Sequence, residues 1–258
     1  MRLRKHDGEL NGGAGSEKLV SAAMLMRLAL IAAFVIVAGA SSASAAPARI
    51  IILRHGEKAD EWKPCAIGEQ RAEALALTYL GRDAIKSLFA SGEEPAFFFA
   101  ITPNTASLAS PSVASWNKPV IFYSAMPQES REDFTKALNR RTMDAARNVL
   151  ANPTLQGKTV VMVWEHEHIA SEALEAKFED EAVTLRQLFK LDILPGVPKT
   201  WPADTYDYFW IVDFPENSNV PSKFEMVKQE FGASFPKLPA NDWGAPDGLD
   251  AASGCVGD

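Results

Sequence analysis

Two short segments hold every histidine of the chain beyond residue 45, and each segment follows an apolar run. His55 stands in an Arg-His-Gly sequence directly after a stretch of isoleucine and leucine. His166 and His168 follow a second apolar run, 159–164. A histidine can attack phosphorus as a nucleophile or transfer a proton. The neighbouring arginine offers a fork of donors that suits phosphate oxygens. These residue types indicate phosphoryl chemistry.

Both histidine segments are predicted to lie at the carboxyl ends of buried strands. The run Arg49–Leu53 is rich in β-branched residues and leads into Arg54 and Gly56. In open α/β sheets ligands bind at the carboxyl ends of strands, and glycine allows a ligand to approach the backbone closely. The competing interpretation of both segments is a charged surface turn after each strand.

The rest of the chain alternates between predicted strands and helices. The further strands are expected at Ala96–Ile101, Pro119–Tyr123, Thr159–Trp164 and Tyr206–Val212, and the helices at Glu69–Leu77, Asp83–Phe89, Thr105–Ala114, Arg131–Leu150 and across Ile169–Leu191. This alternation predicts an α/β sheet with helices on both faces. The proline-rich segment from Phe214 onward is expected to be mostly loop, with one helix near Lys223–Phe231.

The sequence Arg54-His55-Gly56 resembles the signature of the histidine phosphatase superfamily, the phosphoglycerate-mutase-like proteins, and the Trp-Glu-His ending in His166 is similar to its second motif. The resemblance covers most of the region from Arg49 to about Phe214. It implies a three-layer α/β/α sandwich with a mostly parallel central sheet. It also implies that His55 carries the phosphoryl group, that Arg54 and His166 bind the same phosphate, and that neither a metal nor another cofactor is needed.

One position departs from the family pattern. The family has a phosphate-binding arginine a few residues before a Thr-Ala pair. Aligning that pair with Leu108-Ala109 places Asn104 where the arginine should be. Asparagine can donate a hydrogen bond to a phosphate oxygen but brings no charge, so this difference puts efficient phosphoryl transfer in doubt. The Gly-x-x-Arg-Ala sequence that ends in Arg71-Ala72 matches a family motif with an expected structural role.

The proton donor of the reaction is not decided by the sequence. Family members place this acid either after the third strand, which points to Glu129, or directly after the second histidine, which points to Glu167. Glu57 and Glu165 are weaker candidates. The residues expected to contact substrate, in addition to the catalytic set of Arg54, His55, His166, Glu129 and Glu167, are Gly56, Lys58, Asn104, Glu165 and His168. His168 is expected at the rim, on an extended segment.

The N-terminal region has the pattern of an export signal. Arg27 precedes the uncharged apolar run Leu28–Ala40, and Ala43-Ser44-Ala45 resembles a cleavage site. The apolar run is shorter than the roughly 20 residues of a membrane-spanning helix. We therefore expect residues 1–45 to be a signal peptide with a mis-assigned upstream start, since translation from Met24 or Met26 fits better. The domain 46–258 is then periplasmic or extracellular, with no membrane partner after cleavage.

The charge of the chain limits its partners. The net charge is −7, and removal of residues 1–45, which hold five basic and three acidic residues, leaves 21 basic and 30 acidic residues, or −9. An acidic surface disfavours nucleic acid and anionic membranes as partners. The expected partner is a small phosphorylated molecule or phosphate anion. The two cysteines, Cys65 and Cys255, are expected to form a disulfide in an exported chain.

Three functions are compatible with these observations. The first is an exported phosphomonoester phosphatase that uses a phosphohistidine. The second is a weak or inactive phospho-ligand-binding protein of the same fold, because Asn104 replaces an arginine. The third is a metal-dependent hydrolase that uses His166 and His168, which requires an extended segment and a third ligand such as His55.

Overall fold

The computed structural model of the protein describes residues 46–249 and 251–256. The predicted signal peptide and upstream start, residues 1–45, lie outside the described residues. In the part of the chain that is described, no helix is both long and apolar enough to cross a membrane.

A single six-stranded mixed sheet forms the centre of the domain. Its strands are β1 Arg49–Arg54, β2 Phe98–Ala100, β3 Val120–Phe122, β4 Thr159–Trp164, β5 Tyr208–Asp213 and β6 Lys223–Lys228. The spatial order is β3-β2-β4-β1-β5-β6. The first four strands in this order, β3, β2, β4 and β1, run parallel to one another. β5 pairs antiparallel with β1, and β6 pairs antiparallel with β5. The predicted mostly parallel sheet is confirmed.

Helices cover both faces of the sheet. Their bounds are α1 Ala66–Leu75, α2 Pro103–Ser115, α3 Arg131–Ala151, α4 His166–Ile169, α5 Glu172–Lys177 and α6 Leu185–Leu188. A π-helical turn, Ala76–Leu80, continues α1, and short 3-10 turns lie at Pro153–Leu155, Leu191–Ile193, Gly232–Ser234 and Ala251–Ser253.

The side chains of β1 show why the domain has three layers. Successive residues of a strand point to opposite faces. Ile50 and Ile52 therefore belong to the core that α3 covers, whereas Ile51 and Leu53 belong to the core under α1 and α2. All four side chains are at most 1% exposed. A strand that is apolar on both faces needs a helical layer on each side, which gives the α/β/α sandwich that was predicted.

Two expectations about secondary structure are wrong. Lys223–Phe231 is not a helix, because its first six residues form β6 and pair with β5; Phe224 packs edge-on against Trp210, with ring centroids 5.2 Å apart. Asp83–Phe89 forms turns rather than a helix. The helices expected across Ile169–Leu191 are present as α5 and α6, with turns between them. In β6 the pairing with β5 outweighs a weak local preference for helix.

One glycine brings α1 against the end of β1. A Cβ atom on Gly68 would lie 2.2 Å from the Glu57 carbonyl oxygen, so only glycine fits there. The Cys65 amide donates to the same carbonyl at 3.0 Å. This close approach fixes the loop 58–65, which connects β1 to α1 and carries Lys58.

Candidate active site

The imidazole of His55 is fixed at the carboxyl end of β1. The His55 backbone N–H donates to the Trp164 carbonyl of β4 at 2.9 Å, and the side chain is fully buried. Nδ1 lies 2.8 Å from the Gly56 carbonyl oxygen. A carbonyl can only accept, so Nδ1 carries the proton and Nε2 holds the lone pair in the neutral ring. Nε2 is the atom that can act as a nucleophile.

A guanidinium lies beside that nitrogen. Arg54 Nη2 is 3.1 Å from His55 Nε2. Arginine only donates, so this contact also favours an unprotonated Nε2. The Arg54 guanidinium stacks over the Tyr206 ring, 3.9 Å from its centroid, and Nη1 donates to the Pro202 and Ala203 carbonyls. These contacts hold the positive charge of Arg54 in one position.

Glu165 brings a carboxylate to the same point. Its Oε2 atom lies 3.4 Å from His55 Nε2 and 3.3 Å from Lys58 Nζ. Its Oε1 atom accepts a hydrogen bond from the Thr102 hydroxyl at 2.6 Å. Glu165 and Lys58 are 8% and 6% exposed. The site thus joins residues that follow β1, β2 and β4, which are neighbours with parallel carboxyl ends.

His166 faces His55 across the edge of the sheet. Their ring centroids are 5.8 Å apart with the rings near edge-to-face. β1 and β4 pair in parallel along their full length, with Arg54 opposite Trp164. That register places both histidines at one edge although over a hundred residues separate them.

A cavity of about 330 Å³ opens beside His166. Its lining includes Glu129 and Glu167, the two candidate proton donors, together with Lys58 and Glu165. Arg131, at the start of α3, also lines it. Among the described residues, Arg54 and His55 do not line this cavity and are at most 1% exposed, so the cavity adjoins them through Glu165 and His166. Both Glu129 and Glu167 remain eligible as the acid.

Asn104 lies at the start of α2. It is 2% exposed, and its Nδ2 donates to the Asp60 carbonyl oxygen at 3.0 Å. Its Oδ1 atom is buried and has no hydrogen-bond partner among the residues that the structure describes. The amide donor of Asn104 is therefore used to hold the loop 58–65, and the amide brings no charge toward His55.

The expectation that His168 lies on an extended segment at the rim is wrong. Residues His166–Ile169 form the helical turn α4, so His168 is 1% exposed and its Nε2 lies 2.9 Å from Asn139 Oδ1. Burial lowers the pKa of His168 to about 4, although the charge of Glu165 opposes this shift. Its ring touches the cavity lining. A neutral, bonded imidazole is a weak anion ligand.

The predicted disulfide is present and lies next to the site. Cys65 and Cys255 are bonded. The Val256 amide donates to the Lys58 carbonyl oxygen at 2.8 Å, so the C-terminal segment adds a bridge to the loop 58–65. Lys58 is held by the disulfide from one side and by Glu165 from the other.

A buried cluster of three charged residues lies next to the site. Arg71 pairs with Glu57 at 2.6 Å and with Asp207 at 2.6 Å, and all three are at most 1% exposed. Burial opposes the charge of Glu57, yet the Arg71 guanidinium holds the pKa of Glu57 below its usual value. Both carboxylates raise the pKa of Arg71 against the effect of burial. Arg71 is structural, as expected, and Glu57 is removed as a proton donor.

Two neighbours of the site escaped the sequence analysis. Thr102 lies two residues after the end of β2 and caps α2, and its position near a strand end is a usable signal. Tyr206 lies before β5, with its ring 6.0 Å from that of His55, and nothing local marks it. In the described residues, no group of three or more histidine, cysteine, aspartate and glutamate side chains is arranged to hold a metal ion.

No protein-family profile and no curated protein match the chain. Solved structures that resemble it include mycobacterial hydrolase 2, with 12% identity, a TM-score of 0.38, and coverage of 72% of this chain and 93% of that one. The putative phosphohistidine phosphatase SixA from Agrobacterium tumefaciens has 14% identity, a TM-score of 0.34, and coverage of 70% and 97%. A mycobacterial glucosyl-3-phosphoglycerate phosphatase in complex with inorganic phosphate has 12% identity, a TM-score of 0.38, and coverage of 78% and 99%. These three solved structures resemble the chain over most of their own length, at 12–14% sequence identity.

Proposed function

We propose that this protein is an exported phosphomonoester phosphatase that works through a phosphohistidine on His55 Nε2. The observation that carries the proposal is the orientation of the His55 ring. Nδ1 is 2.8 Å from the Gly56 carbonyl, and Nε2 is 3.1 Å from Arg54 Nη2. A nucleophilic nitrogen beside a fixed guanidinium is suited to attack phosphorus, because the guanidinium stabilises the charge on the transferring group.

The reaction then proceeds in two steps. His55 Nε2 forms a bond to phosphorus while the phosphorus–oxygen bond to the leaving alcohol breaks. Water later attacks the phosphohistidine and releases inorganic phosphate, which restores the imidazole. Arg54 and His166 contact the phosphoryl oxygens in both steps, and charge spread over these oxygens makes electrostatic stabilisation the main contribution.

A carboxylic acid donates a proton to the leaving oxygen and afterwards accepts one from the attacking water. Glu129 and Glu167 are the candidates, since both line the cavity that holds His166. Replacement of each by glutamine separates them. Glutamine at the true donor position should lower kcat for p-nitrophenyl phosphate, and it should lower kcat less for a substrate whose leaving group is more acidic.

A second function has its own supporting observation. Asn104 is buried, donates to the Asp60 carbonyl and brings no charge. A site with this residue in place of an arginine suits a protein that binds a phosphorylated ligand with little or no turnover. The same fold and the same His55 environment serve both proposals.

Hydrolysis of p-nitrophenyl phosphate, measured with and without EDTA, tests these alternatives. The phosphatase proposal expects turnover that EDTA leaves unchanged and that His55→Ala abolishes. It also expects a labelled intermediate that is stable in alkali and labile in acid, as a phosphohistidine is. Absence of turnover while phosphate still binds supports the binding protein. Turnover that EDTA abolishes supports a metal-dependent hydrolase.

Export is part of the proposal and rests on two features. The leader combines Arg27, an apolar run and the Ala43-Ser44-Ala45 sequence. The Cys65–Cys255 disulfide is the bond expected of a protein that folds in an oxidising compartment.

A further inference from the structure

The carboxylate of Glu165 joins the nucleophile to the nearest lysine. A single atom, Oε2, lies 3.4 Å from His55 Nε2 and 3.3 Å from Lys58 Nζ. The distance to Lys58 Nζ is one at which a phosphoryl oxygen would contact the same lysine, and the distance to His55 Nε2 places Oε2 in front of the nucleophilic atom, where a substrate phosphoryl group has to lie. The carboxylate oxygen and a phosphate oxygen also carry the same sign of charge. Glu165 Oε2 therefore occupies a position suited to an anionic ligand.

The surroundings hold the carboxylate in this position. Thr102 donates to Oε1 at 2.6 Å, and Thr102 itself is 2% exposed. The Lys58 side chain is 8% exposed. Its backbone is fixed by the Val256 amide and by the disulfide-bonded segment. Because both partners are largely shielded from water, the pair is stronger than a surface pair and competes effectively with an incoming anion.

We propose that the Glu165 carboxylate occupies the anion site in the unliganded protein and that a substrate phosphate displaces this carboxylate. The Lys58 ammonium group then exchanges the Glu165 carboxylate for the phosphate as its ion-pair partner. It supplies the second positive charge that Asn104 does not provide. The proposal rests on the proposed function for the identity of the displacing group. It makes Lys58 a phosphate ligand and Glu165 the residue that sets how tightly phosphate binds.

Isothermal titration of the full mature chain with inorganic phosphate tests this proposal, because binding needs no turnover. Glu165→Gln keeps the shape and the acceptor for Thr102 but removes the competing charge. Phosphate binding should tighten by at least about tenfold, the factor associated with one charge-assisted hydrogen bond. Glu132→Gln is the matched control, since it removes an exposed carboxylate at the start of α3 that pairs with Lys136, and its effect should stay below about threefold.

The lysine provides the second arm of the test. Lys58→Met should weaken phosphate binding by about tenfold or more, and Lys58→Arg should largely retain it. In the Lys58→Met background, Glu165→Gln should no longer tighten binding, because the two changes act on one contact. Glu165→Asp, whose shorter side chain cannot reach Thr102, Lys58 and His55 together, serves in place of Glu165→Gln if that variant fails to fold.

The possible outcomes separate this inference from the phosphatase proposal. Tighter phosphate binding in Glu165→Gln supports the inference even if the protein hydrolyses no p-nitrophenyl phosphate, in which case only the enzyme assignment fails. Unchanged or weaker binding in Glu165→Gln overturns the inference even when the wild type turns over substrate. A gain equal to that of Glu132→Gln also overturns it, since the effect would then be general electrostatics.

Discussion

Loss of the Cys65–Cys255 disulfide should lower the stability of the domain more than any other single covalent change. The two residues are 190 positions apart, so the bond closes a loop that contains almost the whole domain. In the chain-entropy description, restriction of a loop of that length in the unfolded state corresponds to about 5 kcal/mol. Whole domains have unfolding free energies of about 5–15 kcal/mol, so this loss is a large share.

Cys255→Ala is the preferred variant. Cys65 is 4% exposed and packs in the core, whereas Cys255 is only partly buried. The change at Cys255 therefore removes the bond and leaves the packing of Cys65 in place. Val256→Ala is the matched control, because it alters the neighbouring exposed side chain and retains both the disulfide and the backbone bond to Lys58.

Urea unfolding monitored by tryptophan fluorescence provides the measurement. The oxidised wild type should unfold at a midpoint roughly 2 M higher than Cys255→Ala, given slopes of a few kcal/mol per M. Wild type treated with dithiothreitol should match the variant. A difference in unfolding free energy below about 1 kcal/mol would refute the reasoning, because the unfolded chain would then be compact enough that the crosslink restricts it little.

Three further predictions concern the leader, His168 and Arg71. N-terminal sequencing of the exported protein should begin near Ala45 or Ala46, and a product that retains Met24 contradicts the leader assignment. Because burial lowers the pKa of His168 to about 4, the unfolded state gains a proton near pH 6.5 before the folded state does. About 3 kcal/mol of stability present above pH 6.5 should be lost as the pH falls to 4, and His168→Gln should flatten that dependence in urea titrations. Arg71→Met should cost about 3–5 kcal/mol of unfolding free energy, because it leaves Glu57 charged and buried; a loss under 1 kcal/mol would argue against an ionised cluster.

Much of the sheet could be predicted because its signal is local. The apolar run of β1 spans the four residues Ile50–Leu53, and that of β4 spans Val160–Trp164; both are rich in β-branched residues, which suits a strand covered on both faces. The positions of His55 and His166 after those runs follow from the sequence alone. The disulfide could also be predicted, because the chain contains only two cysteines and the expected leader would direct it to an oxidising compartment.

Other features depend on residues that are distant in sequence. The pairing of Lys58 with Glu165 spans 107 residues, and that of Arg71 with Asp207 spans 136. Neither has a local pattern, since a charged residue after a strand is compatible with solvent. The strand β6 was mistaken for a helix because its hydrogen bonds come from β5 and its own residues have a mixed preference.

The sequence by itself determined the residue types of the site and the strands that carry them, because hydrophobic periodicity and rare residues are encoded locally. Only the tertiary structure decided which charges meet. The parallel pairing of β1 with β4 places Glu165 against His55, and the helical turn α4 withdraws His168 into the core. Strand order and register set these contacts, and they follow from packing over the whole domain rather than from any short segment.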